Sequence, residues 1–434
     1  MNALSKLRSI IRGQVWLHDD SGFDAARRPW NLAVEQPVQA VVEAADVDDI
    51  SALVRFAHDG GLGIATQPNG HGATGRTNGS ILLRTRKLDS LTVDTDTRHA
   101  RIGAGVASGR VQAAAASHGL TGLPGSSPVV SVTGVALGGG LSWFGRAHGW
   151  IADNISAFDI VDADGQQRHI TADRDPDLFW ALRGAGGDFA IVTALELALH
   201  PAPALYGGRM LWTAEHAPAV VDAYRQITAV APDQLTVWLD LLHFPGGDPM
   251  VAVDATYLGD QVTARTLLAP LDRLPCPVSD SRRVMSVDEL GAITAEPTEP
   301  GAGQSQGELL TALDDDAVKT LLEKPIAPLL SIQIRHLQGA FAQASDSPHG
   351  PLTEPYALYL FGLPSSPAAA EAVKAKQRML ADALPTSGRK PFTFLNPDET
   401  VADAFTPAVL GRLRGIKHRE DPSNVFRSNF AVDY

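Results

Sequence analysis

The chain has 434 residues, more than one compact core usually needs, so its length indicates two domains or one large domain with an insert. Hydrophobic residues make up 44% of it and charged residues 20%, which is typical of a globular protein and excludes a disordered chain or a fibre. The 36 basic and 49 acidic residues give a net charge of −13, which argues against binding to a nucleic-acid backbone.

The sequence also lacks the usual marks of membrane insertion, secretion and thiolate chemistry. No stretch approaches the roughly 18 uninterrupted apolar residues of a membrane span. The first residues predict a short amphipathic helix and not a signal peptide, because Lys6, Arg8 and Arg12 interrupt the apolar ones, so we expect a cytoplasmic location. Cys276 is the single cysteine, which excludes an internal disulfide framework and a cysteine-rich zinc or iron–sulfur site.

Helix and strand patterns alternate in the first half of the chain. Asp46 is placed to cap a helix that ends at Gly60 and Gly61, and Ser108 to cap a second helix that ends at Gly119. Strand patterns cover residues 62–66, 81–83, 91–93, 101–103, 155–161 and 189–199, and a short helix is predicted at 175–182.

Beyond Pro201 and Pro203, longer strands are separated by helices, which indicates an α+β domain around one sheet. The strands are predicted at 210–212, 235–242, 250–257, 330–337 and 356–361. The helices are predicted at 217–230, 261–271, 316–322, 367–384 and 407–416, and residues 295–307 are predicted to form a loop.

Two familiar motifs fail on their context. Residues 303–307 read GQSQG, like a hydrolase nucleophile elbow, but a loop precedes them where that motif needs a strand. Residues 103–105 read GAG between a strand and a helix, but Ser108 stands where a dinucleotide fingerprint has its third glycine. We therefore expect neither a serine hydrolase nor a Rossmann site.

A turn rich in glycine and asparagine follows the predicted strand 62–66. Its sequence, Gln67-Pro68-Asn69-Gly70-His71-Gly72, suits a loop whose backbone N–H groups point one way and bind an anion. Taken alone, it is more simply a surface turn with an incidental histidine.

Residues 122–150 combine many glycines with large apolar side chains. A flexible linker would instead be small and polar. This pattern indicates glycines that are required because the backbone closely approaches something bulky.

Together with the C-terminal sequence DPSNVFRSNF, these two segments make the chain resemble the flavin oxidoreductases of the vanillyl-alcohol-oxidase/p-cresol-methylhydroxylase superfamily. The most similar branch is the berberine-bridge-enzyme-like oxidases, and within it the hydroxynicotine oxidases. Further family-like stretches are DDSGFDAARRPWN at 19–31, GWIADNI at 149–155, DPDLFWALRGAGGDFAIVT at 175–193 and KHREDPSNVFRSNF at 417–430.

The resemblance implies an α+β fold in which a two-part FAD-binding domain of the p-cresol-methylhydroxylase type joins an α+β substrate domain with an antiparallel sheet. Residues 1–203 would form the FAD-binding domain and 204–390 the substrate domain. Residues 391–434 would return to the FAD-binding domain.

The resemblance also implies FAD, bound covalently through the His71 imidazole to the flavin 8α-methyl, with residues 67–72 around the pyrophosphate. Many relatives have a second covalent bond from a cysteine, but Ser127 occupies that position here and cannot form a thioether. The implied cofactor contacts are Gln67, Pro68, Asn69, Gly70, His71, Gly72, Gly125, Ser126, Ser127, Val130, Thr133, Gly134, Gly138, Gly139, Gly140, Ile191 and Asn429.

The loop departs from the family pattern, which begins with arginine and runs Ser-Gly-Gly-His. Gln67 replaces a possible activating charge, and Pro68 removes one backbone donor. In relatives, a small residue after the cysteine position admits oxygen, and Val130 there is consistent with an oxidase. Ser131 stands where relatives usually have glycine.

A general base is expected from the substrate-domain strand at 330–337. Alternation places Ile332, Ile334, His336 and Gln338 on one face, and His336 is the best candidate. A histidine satisfied structurally within the sheet is the alternative. In the resemblance, Phe392 stands where many relatives place a catalytic tyrosine, which excludes a phenolate base at that position, and Asn396 is expected to hydrogen-bond substrate or flavin. The remaining candidates are Tyr356 and Tyr359.

We therefore expect an FAD-dependent oxidase that transfers a hydride from an amine, an alcohol or a natural-product intermediate to flavin N5 and is reoxidised by oxygen. A dehydrogenase with another acceptor and a non-catalytic flavin- or ligand-binding protein are the alternatives. The expected partners are a small-molecule substrate and oxygen, with no nucleic acid and no membrane. The chain is expected to be a monomer or a homodimer.

Overall fold

The computed structural model describes residues 3–432, and within them four sheets are formed by nineteen strands, numbered in chain order. The first ten are β1 (Gln14–Leu17), β2 (Ala40–Glu43), β3 (Gly63–Thr66), β4 (Ser80–Arg84), β5 (Leu91–Asp94), β6 (His99–Gly103), β7 (Leu120–Thr121), β8 (Ile155–Val161), β9 (Gln167–Thr171) and β10 (Ile191–Ala198). The others are β11 (His200–Pro201), β12 (Tyr206–Thr213), β13 (Leu235–Leu242), β14 (Met250–Tyr257), β15 (Ser279–Asp280), β16 (Arg283–Val284), β17 (Gln304–Leu310), β18 (Ser331–His336) and β19 (Tyr356–Gly362).

Helices lie between these strands, and short 3₁₀ turns occur beside several of them. The first seven helices are α1 (Leu7–Ile10), α2 (Phe23–Arg27), α3 (Val47–Gly60), α4 (Ser108–Ala116), α5 (Val132–Leu137), α6 (Gly145–His148) and α7 (Pro176–Leu182). The others are α8 (Ala217–Thr228), α9 (Gln261–Leu267), α10 (Ala269–Asp272), α11 (Gly291–Thr294), α12 (Asp315–Leu322), α13 (Pro367–Ala383) and α14 (Pro407–Glu420).

The first sheet has the order β1-β2-β4-β3, with β2, β4 and β3 parallel. Helix α3 covers it with an apolar stripe. The Asp46 carboxylate accepts a hydrogen bond from the Asp49 N–H, and Gly61 ends the helix in the left-handed region at φ 61°, so both predicted helix ends are confirmed.

The second sheet is antiparallel, in the order β5-β6-β10-β8-β9, and its core includes residues of α4, α7 and α14. The C-terminal segment packs beside the first sheet. Arg427 N–H donates to the Ile64 carbonyl, and Ile64 N–H donates to the Val425 carbonyl. The buried Lys417 ammonium binds Asp421 and the carbonyls of Asp188 and Phe426.

The largest sheet is antiparallel and runs β15-β12-β14-β13-β18-β19-β17, with β16 also pairing with β12. Apolar side chains from alternate positions pack against α8, α9, α12 and α13 on one face, which is called the helix-covered face below. The opposite face carries polar and aromatic side chains, meets residues 141–150, and is called the open face. The sheet therefore has an apolar core on its helix-covered face and polar and aromatic side chains on its open face.

Three local predictions need correction. Residues 304–307, predicted as the end of a loop, instead begin β17, because their backbone pairs with β19 at the sheet edge. The predicted helix 261–271 is two helices, since α9 ends before Leu268 and Pro270 lies in the first turn of α10. Ala107, and not Ser108, is the N-cap residue of α4.

Strands β1 and β2 and helices α2, α5 and α6 have no counterpart among the predicted elements, and each is only four to six residues long. The predicted N-terminal helix is a 3₁₀ turn followed by α1, with residues 1 and 2 lying outside the described range. No helix within residues 3–432 has the length and apolar composition that a membrane span requires.

Candidate functional site

The loop at residues 67–72 leaves the end of β3 and is fixed from below. Gln67 N–H donates to the Leu83 carbonyl. The buried Arg84 guanidinium donates to the Ala26 and Arg28 carbonyls and lies 3.5 Å from the Gln67 carbonyl. Burial lowers the pKa of Arg84 to about 10, so it stays charged near neutral pH. A cation therefore lies under the loop although Gln67 occupies the family's arginine position.

His71 lies in this loop as a neutral imidazole with one nitrogen free. Its ring stacks on Trp30 with centroids 4.2 Å apart, and burial lowers its pKa to about 4. The Asn69 amide nitrogen donates to the Val129 carbonyl at 3.0 Å, which leaves Asn69 Oδ1 as an acceptor 2.9 Å from His71 Nδ1. Nδ1 therefore carries the proton, and the buried Nε2 has a lone pair with no hydrogen-bond partner among the described residues.

The glycine-rich segment forms a second wall beside the loop. The Ser131 hydroxyl accepts from the Gly134 N–H and donates to the Ala104 carbonyl, which fixes the start of α5. Thr133 Oγ1 is buried without a partner among the described residues. The Asn69 bond to the Val129 carbonyl joins this wall to the His71 loop.

The later glycines of this wall are required by neighbouring side chains. A Cβ on Gly139 would lie 2.3 Å from His349 Nε2, and one on Gly140 would lie 2.6 Å from Ile151. A Cβ on Gly138 would be 3.5 Å from Thr393. The predicted close approach is therefore present, and at Gly139 and Gly140 protein side chains make it.

The C-terminal segment supplies the third side of the site. A Cβ on Gly72 would lie 3.9 Å from the Asn429 side-chain nitrogen, and the Thr74 hydroxyl donates to the Asn429 carbonyl at 3.2 Å. Ile191, at the start of β10, is buried in the same apolar cluster as Phe426. Residues that are distant in sequence thus meet around residues 67–74.

This arrangement fits a polar cofactor. Gln67 Oε1, His71 Nε2 and Thr133 Oγ1 are all buried without a hydrogen-bond partner in the part of the chain that the structure describes. Each buried unpartnered polar group costs about 1–3 kcal/mol, and a bound cofactor that reached all three would remove that cost. All three belong to the residues expected to bind FAD, and a flavin nucleotide offers donors and acceptors to satisfy them.

The open face of the large sheet carries two cross-strand rows. Arg209, Asp254, Trp238 and Arg335 are paired in the first row, and Asp240, Gln333 and Tyr359 in the second. Trp143, from the glycine-rich wall, stacks on Trp238 with ring centroids 3.5 Å apart. The open face therefore faces the wall that carries the cofactor residues.

Burial sets the charges on this face. The Arg209 guanidinium makes two 2.6 Å hydrogen bonds to Asp254, a bidentate ion pair. Asp240 accepts from the Gln333 amide at 2.9 Å, and burial and the Asp254 charge raise its pKa well above the usual range. Burial also raises the pKa of Tyr359. Burial thus disfavours the charged forms of both Asp240 and Tyr359.

Arg335 lies at the centre of the face, among aromatic rings. Its guanidinium carbon is 4.2 Å from the Trp238 ring centroid, 5.7 Å from that of Tyr359 and 5.4 Å from that of Phe394. Its Nε donates to the Gln333 side-chain oxygen. Burial lowers its pKa, although the charge of Glu296 acts in the other direction.

The prediction that His336 faces the flavin as a base needs correction. The predicted alternation is confirmed, but the face that Ile332, Ile334 and His336 share is the helix-covered one. His336 Nε2 lies 3.1 Å from Arg146 Nη1, which can only donate, and 3.1 Å from Gln338 Oε1, which can only accept, while its buried Nδ1 has no hydrogen-bond partner among the described residues. Burial, with the Arg146 charge, lowers the pKa of His336 to about 3. The structural alternative describes this residue. Gln338 lies beyond the end of β18.

The other base candidates, Tyr356 and Tyr359, lie on opposite faces of the large sheet. Tyr356 lies on the helix-covered side, where its hydroxyl is 3.0 Å from Thr228 Oγ1, whereas Tyr359 is on the open face. The Asn396 side-chain oxygen accepts from the Asp398 N–H and forms a local turn. Phe392 packs on Phe405 and Phe430 in the core.

The sequence contains a signal for the open face that the prediction did not use. Residues 238 and 240 in LTVWLDLL, and 333 and 335 in SIQIRH, are polar or aromatic at alternate positions between buried aliphatic residues. Such a period of two marks the face of a strand that does not enter the apolar core.

Comparison with known proteins identifies the family to which the chain belongs. Residues 38–171 match the model of an FAD binding domain. The chain is 31% identical over 464 residues to (R)-6-hydroxynicotine oxidase from Paenarthrobacter nicotinovorans, covering 98% of this chain and 97% of that protein.

Solved structures agree. 6-Hydroxy-D-nicotine oxidase from Arthrobacter nicotinovorans superposes with a TM-score of 0.84 at 28% identity, over 98% of each chain. The moss protein Physcomitrella patens BBE-like 1 has a TM-score of 0.87 at 18% identity over 99% of this chain and 98% of its own, and thus shows the shared fold. The predicted fold and family are confirmed.

Proposed function

The chain belongs to the FAD-linked oxidoreductases, and we propose that it is an oxidase that removes a hydride from a carbon of a small organic substrate and holds its FAD covalently through His71. When bound, FAD supplies the acceptor for the hydride and the route by which electrons reach oxygen. The observation that carries the proposal is the neutral His71 imidazole, which offers a buried Nε2 lone pair in the FAD-binding loop.

The loop and the glycine-rich wall account for one covalent bond and not two. Asn69 holds the His71 Nδ1–H, so Nε2 is the nitrogen that can bond to carbon. Ser127 carries a hydroxyl, which forms no thioether, and Cys276 is exposed in the other part of the chain, beyond β14. Thr133 and Gln67 would hold polar groups of the cofactor beside it.

The side chains of the open face orient the substrate. Tyr359 presents a phenolic O–H near neutral pH, and the Arg209–Asp254 pair and Asp240, which accepts from Gln333, give a fixed set of polar groups. Trp143 stacks on Trp238 and so fixes the glycine-rich wall against the sheet. These groups hold a small substrate against the cofactor wall while the hydride leaves.

Acid precipitation of the purified protein tests the covalent bond. The yellow colour is expected to stay with the polypeptide, and a peptide that contains His71 is expected to carry the mass of one FAD while Ser127 is unmodified. Flavin that passes entirely into the acid supernatant would contradict the covalent bond only. A purified protein that binds no flavin would contradict the whole proposal.

Reoxidation separates an oxidase from a dehydrogenase. The protein is reduced by light without oxygen and then mixed with aerated buffer. Rapid return of the oxidised spectrum with release of peroxide is expected. Slow return, accelerated by an artificial electron acceptor, would show a dehydrogenase. A panel of amines and alcohols that never bleaches the flavin would favour a binding protein.

A further inference from the structure

We infer that the substrate carries a carboxylate and that Arg335 on the open face binds it. The inference rests on the proposed function, because it takes the space between the cofactor wall and the open face as the substrate site. It adds a substrate class and a specificity-determining residue.

The position of Arg335 is fixed while most of its donors are unused. One bond, from Nε to the Gln333 side-chain oxygen, and the stack on Trp238 set the plane of the guanidinium. Within residues 3–432 neither Nη nitrogen donates a hydrogen bond or joins an ion pair, and the side chain is only half-buried. The donor fork is therefore oriented and open to a ligand.

Other arginines that lie below the surface use these same nitrogens. Arg209 directs its fork at Asp254, and Arg84 and Arg146 each donate to backbone carbonyls through Nη2. Arg282 directs Nη2 at Asp272 and Asp280. Arg335 departs from this pattern on the one face that meets the cofactor wall, as expected if its partner is not part of the chain.

No acidic group nearby forms an ion pair with the Arg335 guanidinium in the described part of the chain. Arg209 pairs with Asp254 and lies 3.4 Å from Asp240, and Asp240 accepts from Gln333. Glu296 influences Arg335 through its charge, but no ion pair joins the two among the described residues. Partial burial of a guanidinium without an ion-pair partner has a desolvation cost. An anion that binds there would offset this cost and so bind more tightly.

The shape of the fork and its surroundings favour a carboxylate. A guanidinium binds a planar carboxylate through two parallel N–H···O bonds. A phosphate would usually meet several cations, and the neighbouring Arg209 is already occupied. The rings of Trp238, Tyr359 and Phe394 surround the fork, so the rest of the substrate should be mostly apolar.

Calorimetric titration of the holoprotein with benzoate and with acetate tests the inference, with benzamide as the uncharged counterpart of benzoate. At least one of the two carboxylates is expected to bind saturably and to perturb the flavin absorption spectrum, while benzamide binds at least about tenfold more weakly. Arg335→Met is expected to weaken the carboxylate by roughly 10- to 100-fold, and Arg335→Lys, which keeps a point charge, by less.

A matched control removes an arginine with the same kind of contact elsewhere. Arg412 lies 3.9 Å over the Trp180 ring and pairs with Asp177 on the surface. Arg412→Met is expected to leave carboxylate binding unchanged. Circular dichroism and melting temperature of each variant show whether it is folded, and Arg335→Lys provides the test if Arg335→Met does not fold.

Several outcomes would overturn the inference. These are no binding of either carboxylate to the wild type, equal binding of benzoate and benzamide, and unchanged affinity in the Arg335 variants. If the flavin reduction potential shifts in Arg335→Met while carboxylate binding does not, the anion belongs to the reduced cofactor and not to the substrate. Calorimetry needs no turnover, so a protein that binds benzoate through Arg335 but lacks flavin would contradict only the proposed function.

Discussion

Two buried histidines, one in the loop at residues 67–72 and one in the large sheet, are both neutral near pH 7 but differ in their expected roles. Burial lowers the pKa of His71 to about 4 and that of His336 to about 3, so both are neutral near pH 7. The His71 Nδ1–H donates a hydrogen bond to Asn69 Oδ1, and the Nε2 lone pair stays free. His336 Nε2 lies 3.1 Å from both Arg146 Nη1 and Gln338 Oε1, and its Nδ1 has no partner among the described residues.

The comparison shows that a depressed pKa does not by itself identify a reactive histidine. What differs is the surroundings of each ring: His71 lies in the loop at residues 67–72, whereas His336 lies in the large sheet with Arg146 and Gln338 at its Nε2. The predictions below test that difference, starting with the largest expected effect.

Replacing His71 should abolish covalent flavin, and replacing His336 should not. His71→Ala removes the only imidazole of the FAD-binding loop, so all its flavin should pass into the supernatant on acid precipitation. His336→Ala should keep its flavin on the polypeptide. Spectra of pellet and supernatant measure both, and covalent flavin in His71→Ala would contradict the role of Nε2.

Arg146, the partner of His336, should matter most for stability. Its buried guanidinium donates to the carbonyls of Leu235, Ala231 and Pro232 and joins α6 to the large sheet. Arg146→Ala leaves these carbonyls and His336 without a donor, so the free energy of unfolding should fall by about 3–5 kcal/mol. Denaturant unfolding measures it, and the exposed Arg412→Ala, expected to cost less than about 1 kcal/mol, is the control.

His336→Ala should destabilise the protein without slowing the chemistry. The change empties part of a packed face and removes one acceptor of Arg146, which should cost about 2–3 kcal/mol in unfolding free energy. The rate of flavin reduction, measured without oxygen, should change by less than about threefold, because the side chain lies on the helix-covered face beside Tyr356. A loss of about 100-fold or more, typical of a missing general base, would restore His336 to the mechanism.

Much of the fold could be predicted from the sequence because many elements have strong local signals. Asp46 and Gly61 mark the ends of α3, and β13 and β14 run between the residues that their apolar patterns predict. β1 and β2 escaped prediction because strands of four residues are too short to show a period. β17 escaped because an edge strand is fixed by its pairing with β19, which is distant in sequence.

The site could be predicted only where the chain itself fixes the geometry. The His71 loop is local, so its residues and their order were visible. On β18, alternation correctly separated Arg335 from His336, but a period of two does not say which set faces the cofactor. That choice depends on α8, α12 and α13 covering one face and residues 141–150 meeting the other.

The smallest expected effect is a difference in how stability depends on pH. The pKa of His336 is about 3 when folded, against about 6.5 for an unfolded histidine, so the unfolded chain binds one more proton between these values. The neutral histidine therefore contributes stability that is complete above about pH 6.5 and is lost progressively as pH falls toward 3. His336→Gln keeps a side-chain oxygen for Arg146 and cannot titrate. From pH 7 to pH 5 the wild type should lose about 2 kcal/mol more unfolding free energy than His336→Gln does, and denaturant unfolding at both pH values measures the difference. Equal losses would mean that folding does not lower the pKa of His336.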